Sequence, residues 1–101
     1  MEISTELLKK FKDKMHITHS SEDDNLKELL SFSIVAIRGN CGAFEVEGTT
    51  DIDIRARELV FERTRYVYND ALEYFEDNFL SELTSLGLDI AFKAGDFDTT
   101  I

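Results

Sequence analysis

The sequence predicts a mainly α protein. It reads as a small bundle of about four helices around one long helix, followed by an extended C-terminal tail with the signature of a β-strand. Three observations lead there. Proline, which breaks helices, is absent from all 101 residues. Apolar residues recur at spacings of three and four in several separate stretches. Cap-forming residues and glycines bracket those stretches. Hydrophobic residues make up 43% of the chain, with 8 Phe and 3 Tyr, enough for one core in a single domain.

The first helix is expected from Thr5 to Lys14, with Ser4 as its N-cap. Leu7, Leu8, Phe11 and Met15 share its buried side. Lys9, Lys10, Lys12 and Lys14 fill the rest, the later ones suiting the negative end of the helix dipole. A polar break at residues 16–20 follows. Ser20 or Ser21 then precedes Glu22-Asp23-Asp24, a cap followed by carboxylates where free N–H groups await them. The second helix carries the stripe Leu26, Leu29, Leu30, Ile34 and Ile37, widened by Phe32, Val35 and Ala36. It ends in Arg38-Gly39-Asn40-Cys41-Gly42. Residues 43–50 read as a loop with a short extended stretch at Phe44-Glu45-Val46-Glu47.

The third helix is the long one, capped by Thr50, Asp51 or Asp53, with neither Gly nor Pro between Thr49 and Leu86. A break is expected near Asp77-Asn78, where Asn78 starts a short fourth helix carrying Phe79, Leu80, Leu83 and Leu86 that stops at Gly87. Beyond it, Leu88-Asp89-Ile90-Ala91-Phe92 alternates with the period of a strand, and the residues from Lys93 onward read as a polar, mobile tail. The division is therefore a helical domain over residues 1–87 and an extended segment over 88–101.

On a helical wheel the long helix is apolar over more than half its circumference. Ile52, Ala56, Leu59, Val60, Val67, Ala71 and Tyr74 form one arc. Ile54, Phe61, Tyr68, Leu72, Phe75 and Phe79 form another. Either the helix is central and wrapped by the other three, or one arc packs inside the subunit and the other meets a neighbour. The aromatic-rich arc is the better interface candidate, which selects Phe61, Tyr68, Leu72 and Phe75. Arg63 and Asp70 fall inside the first arc, and each needs a partner, an intrachain ion pair being the simplest.

Charge narrows the function. The chain has 21 acidic against 11 basic residues, a net charge of -10. That disfavours binding to a phosphate backbone or an anionic membrane surface. No apolar run is long enough to span a membrane, and the first 15 residues are too charged for a secretory signal. A single cysteine, Cys41, leaves a free thiol and suggests a reducing compartment.

Catalytic patterns are sparse. His16 and His19, with Cys41 or Glu22-Asp23-Asp24 as further ligands, lack the spacing of a known metal motif. Asp70, Glu73 and Glu76 have the spacing of magnesium ligands in all-α nucleotide pyrophosphohydrolases, yet the only candidate for the second cluster such a site needs, Glu22 to Glu28, reads better as helix caps, and a solvated acidic face is the better account of the three. No phosphate loop or nucleophile–base pair stands out. The expectation is a protein without catalysis, metal or cofactor.

The order of features resembles the head–tail connector proteins of long-tailed bacteriophages, also called adaptor or head-completion proteins. The resemblance rests on the acidic opening Glu22-Asp23-Asp24-Asn25-Leu26-Lys27-Glu28-Leu29-Leu30, on Ala56-Arg57-Glu58-Leu59-Val60 and Arg65-Tyr66-Val67-Tyr68 in the long helix, and on Phe79-Leu80-Ser81-Glu82-Leu83-Thr84-Ser85-Leu86. It covers residues 5–92 and lacks a catalytic signature to anchor it. It implies a virion protein that assembles with itself as a ring, commonly of about twelve subunits, beneath the portal protein. Such a ring extends the DNA channel and carries the next connector, stopper or tail-completion protein. DNA passes through without sequence-specific binding. The subunit would gather in the host cytoplasm during assembly and end at the head–tail interface of the virion. Leu88, Ile90 and Phe92 would then be the portal-docking strand. The acidic charge fits a conduit along which DNA slides without sticking. An alternative reading is an acidic helical binding module that mimics DNA and inhibits a DNA-binding protein.

Overall fold

A computed structural model describes residues 2–94. The order is α1 (Thr5–Met15), α2 (Asp23–Cys41), α3 (Asp51–Tyr68), a 3-10 turn (Leu72–Tyr74) and α4 (Phe75–Lys93). Helices α2, α3 and α4 pack on one another, and α1 lies across α2 and α3. The chain is a small helical bundle, with no strand among the described residues. Its radius of gyration of 14.4 Å exceeds the roughly 13 Å of a compact domain this size, so the bundle is elongated.

Ser4 caps α1 as the sequence suggests, its side chain accepting from the Leu7 N–H at 3.0 Å. The helix ends with His16 in the left-handed region, φ 60°. There the His16 N–H bonds the Asp13 carbonyl and the Ile17 N–H bonds the Lys12 carbonyl, the paired bonds of a Schellman turn. Neither Ser20 nor Ser21 caps α2 through its side chain. Ser20 receives the Asp23 N–H on its backbone carbonyl, and Ser21 bonds the His19 ring. The carboxylates of Asp23 and Asp24 still occupy the first turn, where they favour the helix dipole.

The loop between α2 and α3 is firmly held. Arg38 donates to the Phe44 carbonyl and lies over the Phe44 ring, which is buried. Arg57 donates to the carbonyls of Val46 and Gly48. Asp53 accepts the Glu45 N–H at 2.9 Å, while Thr50 caps α3 by accepting the Asp53 N–H. The Glu45 N–H first, with Thr50 and the charge of Lys93 adding to it, holds the Asp53 carboxyl below its ordinary pKa. Gly42, with φ 116°, turns the chain out of α2, and a side chain there would press on Ile90.

The long helix is shorter than the sequence suggests. It stops at Tyr68, because Asn69 and Asp70 build a second Schellman turn. Asp70 adopts φ 58°, its N–H bonds the Val67 carbonyl, and the Ala71 N–H bonds the Tyr66 carbonyl. The Asn69 side chain adds a bond to the Arg65 carbonyl. The expected break near Asp77-Asn78 survives only as a kink inside α4, where Phe79 leaves helical geometry (φ -119°, ψ 18°).

Gly87 does not stop the last helix. Helix α4 runs through it to Lys93, so Leu88, Ile90 and Phe92 are helical, and the docking strand and the boundary at residue 87 are corrected. Five alternating residues fit a helix equally well once tertiary partners exist. Leu83, Leu86 and Ile90 keep helical spacing into the core, and Asp89 reaches Arg55 on α3 at 2.6 Å. The rest of the expected tail, residues 95–101, lies outside the described residues.

Candidate functional site

The residues expected to meet a neighbour are mostly inside the subunit. Phe61 is 7% exposed and Phe75 2%. Phe61 is covered by α1, whose Phe11 ring lies 5.6 Å from it. Phe75 stacks on Phe79, and Tyr66 meets both edge-on. Tyr68 is half-buried, and its hydroxyl donates to Glu22 at 2.9 Å, which holds the phenol proton more tightly than usual. Of the four, only Leu72 is well exposed, at 40%. The excess of apolar surface on one helical wheel was therefore two helices read as one. The turn at 69–71 divides both arcs between α3 and the segment that follows it, and Phe75 and Phe79 fold back onto Tyr66 of α3, a residue of neither arc. Of the docking residues, Ile90 is buried against the α2–α3 loop, while Leu88 and Phe92 are exposed on α4.

A different apolar surface is left open. Phe32 and Val35 on α2 are about as exposed as Leu80 on α4, which is 61% exposed. Between these helices lies a groove of about 650 Å³ lined by Ala36, Gly39, Arg63, Leu72, Phe75 and Glu76. Leu80 borders the next depression, with Asn40 and Glu76. Phe32 stands one turn before Ala36, so the apolar side chains of α2, Leu72 and Leu80 flank one surface.

A small polar network underlies it. Thr64 is fully buried and donates either to the Val60 carbonyl or to the Ser33 hydroxyl, which lies 2.9 Å away. Arg63 donates to Ser33 at 3.1 Å. No ion pair to Arg63 forms among the described residues, which corrects the expected salt bridge. Desolvation lowers its pKa, and only the field of Glu76 opposes that. Asp70 is exposed in its turn.

A second groove, of about 630 Å³, runs between α3 and α4 on another side of the bundle. Leu59, Leu86 and Phe79 line it, and Glu58, Glu62 and Glu82 supply its acidic side chains. Arg55 at its edge is held by Asp89 and Ser85.

The residues weighed for chemistry do not converge. His16 terminates α1, His19 bonds Ser21 beside Glu22, and Cys41 donates its S–H to the Leu83 carbonyl. Burial raises the Cys41 pKa, so it stays a thiol. Asp70, Glu73 and Glu76 occupy a turn, a 3-10 turn and a helix, so their spacing of three does not place them on one helical face. Among the described residues no group of three or more His, Cys, Asp or Glu is arranged to hold a metal ion. No described helix is long and apolar enough to cross a membrane.

No protein-family model, curated protein or solved structure matches the chain significantly.

Proposed function

We propose that this chain is a structural subunit of a bacteriophage head–tail connector. In this reading it forms a ring of about twelve copies below the portal, extends the DNA channel and carries the next connector or tail-completion protein. The work is assembly, without bond chemistry, metal or cofactor. It takes place in the host cytoplasm and ends in the virion. The observation that supports it is the open apolar surface of α2, Leu72 and Leu80 on a chain of net charge -10. Large apolar side chains gathered on one side of a small, highly charged domain are characteristic of a surface that another protein covers. The connector identity itself rests on the sequence resemblance. The acidic charge suits a wall past which DNA must slide.

The test is binding to a cognate portal protein, followed by size-exclusion chromatography with light scattering. Wild type co-elutes with the portal. Leu72→Asp with Leu80→Asp, both at exposed positions, stays folded by circular dichroism and binds at least about tenfold more weakly, since each charge must be desolvated to dock. Failure of the wild type to bind, or full binding by the double variant, refutes the reading.

A further inference from the structure

The open surface of α2, Leu72 and Leu80 is apolar at its centre and acidic along one edge. Residues 70–77 form that edge and carry Asp70, Glu73, Glu76 and Asp77 with no base among them. All four are exposed, and none makes an ion pair among the described residues. Arg63, the basic residue in the groove lining, is half-buried, donates to Ser33 and lies in the field of Glu76. The bases of α2 are engaged elsewhere. Arg38 holds the Phe44 carbonyl and ring, and Lys27 lines a separate depression beside Ser4. The edge therefore keeps negative charge that the subunit does not neutralise.

The groove wall facing that edge is low. Ala36 and Gly39 of α2 line it, one turn apart. Gly39 is helical, and a Cβ added there would meet nothing within 4 Å. No close contact inside the chain calls for a glycine at this position, unlike Gly42 with its φ of 116°. Glycine also weakens a helix relative to alanine. What Gly39 provides is room for another backbone to approach α2, beside the exposed Phe32 and Val35. The surface thus has an apolar channel with one low wall and one acidic rim.

We propose that this surface docks an amphipathic helix of a different protein. Its apolar seam lies in the α2–α4 groove along Ala36 and Gly39, and its flanking lysines or arginines meet Glu73 and Glu76. Apolar anchors at spacings of three and four seat such a helix, while the charge at the rim selects which helix binds. A second copy of this chain fits poorly here. Its Lys9, Lys12 and Lys14 are already paired with Asp13, Asp23 and Glu62, and it brings a further net charge of -10. The inference rests on the part of the connector reading in which another protein covers this surface. It names that partner's chemistry and does not require the partner to be a portal.

The probe is a capped synthetic peptide of about 18 residues, long enough to hold a helix, with leucines three and four apart and lysines on both flanks. A second peptide has glutamate for every lysine. Each is titrated into the full chain and followed by heteronuclear NMR. The lysine peptide binds and shifts the amides of Ala36, Gly39, Leu72 and Glu76, and the glutamate peptide binds at least about tenfold more weakly. Gly39→Leu fills the channel and weakens the lysine peptide at least about tenfold. Its urea midpoint stays at or above that of wild type, because the position is open and leucine favours a helix over glycine. Glu73→Lys with Glu76→Lys, folded by circular dichroism, reverses the preference between the two peptides. Glu58→Lys with Glu82→Lys makes the same change of charge in the α3–α4 groove and leaves binding within about twofold of wild type. An equal loss in that control means that net charge alone draws the peptide, and overturns the proposal. So does a lysine peptide that fails to bind, or full binding by Gly39→Leu. The portal experiment separates the two readings. A portal that binds while the lysine peptide does not leaves the connector standing without this helix, and a peptide seated in the groove of a chain that no portal binds removes the connector alone.

Discussion

Gly87→Ala has an effect whose sign separates two accounts of the C-terminal region. Had Gly87 ended the helix in a left-handed conformation, a methyl group there would strain the backbone and destabilise the fold by about 1 kcal/mol or more. In the structure Gly87 lies within α4, and an added Cβ would sit 3.6 Å from the Cys41 Cα, an ordinary contact. Alanine then gains about 0.8–1 kcal/mol over glycine in a helix interior. For a domain of this size that raises Tm by roughly 4–8 °C. Gly42→Ala is the opposite control. Its φ of 116° disfavours a side chain, and its Cβ would come within 2.7 Å of Ile90 Cγ2. That variant loses about 1–3 kcal/mol. Urea titration followed by circular dichroism at 222 nm reads both, with an unchanged m-value showing that the transition itself is the same. A Gly87→Ala variant less stable than wild type refutes a continuous α4.

Three further outcomes follow from the packing and the electrostatics. Phe11→Ala removes a fully buried ring and its contact with Phe61, costing about 3–5 kcal/mol in urea unfolding. Phe61→Asp unfolds the subunit rather than merely blocking assembly, because it places an unpaired carboxylate in the core; a folded monomer by circular dichroism would contradict this. Asp53 titrates below its ordinary value when folded, so the unfolded chain takes up the proton first. Its stabilisation is full above the ordinary aspartate range and declines as pH falls through that range toward the lowered value. Asp53→Asn flattens that acid limb of the urea midpoint against pH, and an unchanged slope would count against it.

Much of the bundle was legible because local chemistry agrees with packing there. The Ser4 cap, the Leu7, Leu8 and Phe11 stripe, the α2 stripe and the Thr50 cap all act within a few residues. The end of α3 was not, because Asp70 performs a task usually given to glycine. Asp accepts a positive φ more readily than most residues, and Asn69-Asp70 was the signal available in the sequence. Missing that turn carried directly into the site. It joined Phe61 and Phe75 into one outward arc, when in fact one lies under α1 and the other in the aromatic cluster with Tyr66. Leu88–Phe92 was too short to separate a helix from a strand by period alone. The decisive contacts, Asp89 with Arg55 and Ile90 against the Gly42 turn, are tertiary. Phe32, Val35 and Leu80 belong to apolar stripes in the sequence, and only the packing reveals which members of a stripe stay outside.

Electron microscopy of the chain incubated with assembled portals decides whether it is a connector subunit. A connector adds a ring of density, with the portal's axial symmetry and an open channel, on one end of each particle. Portals that remain bare at saturating concentrations of folded chain would contradict it.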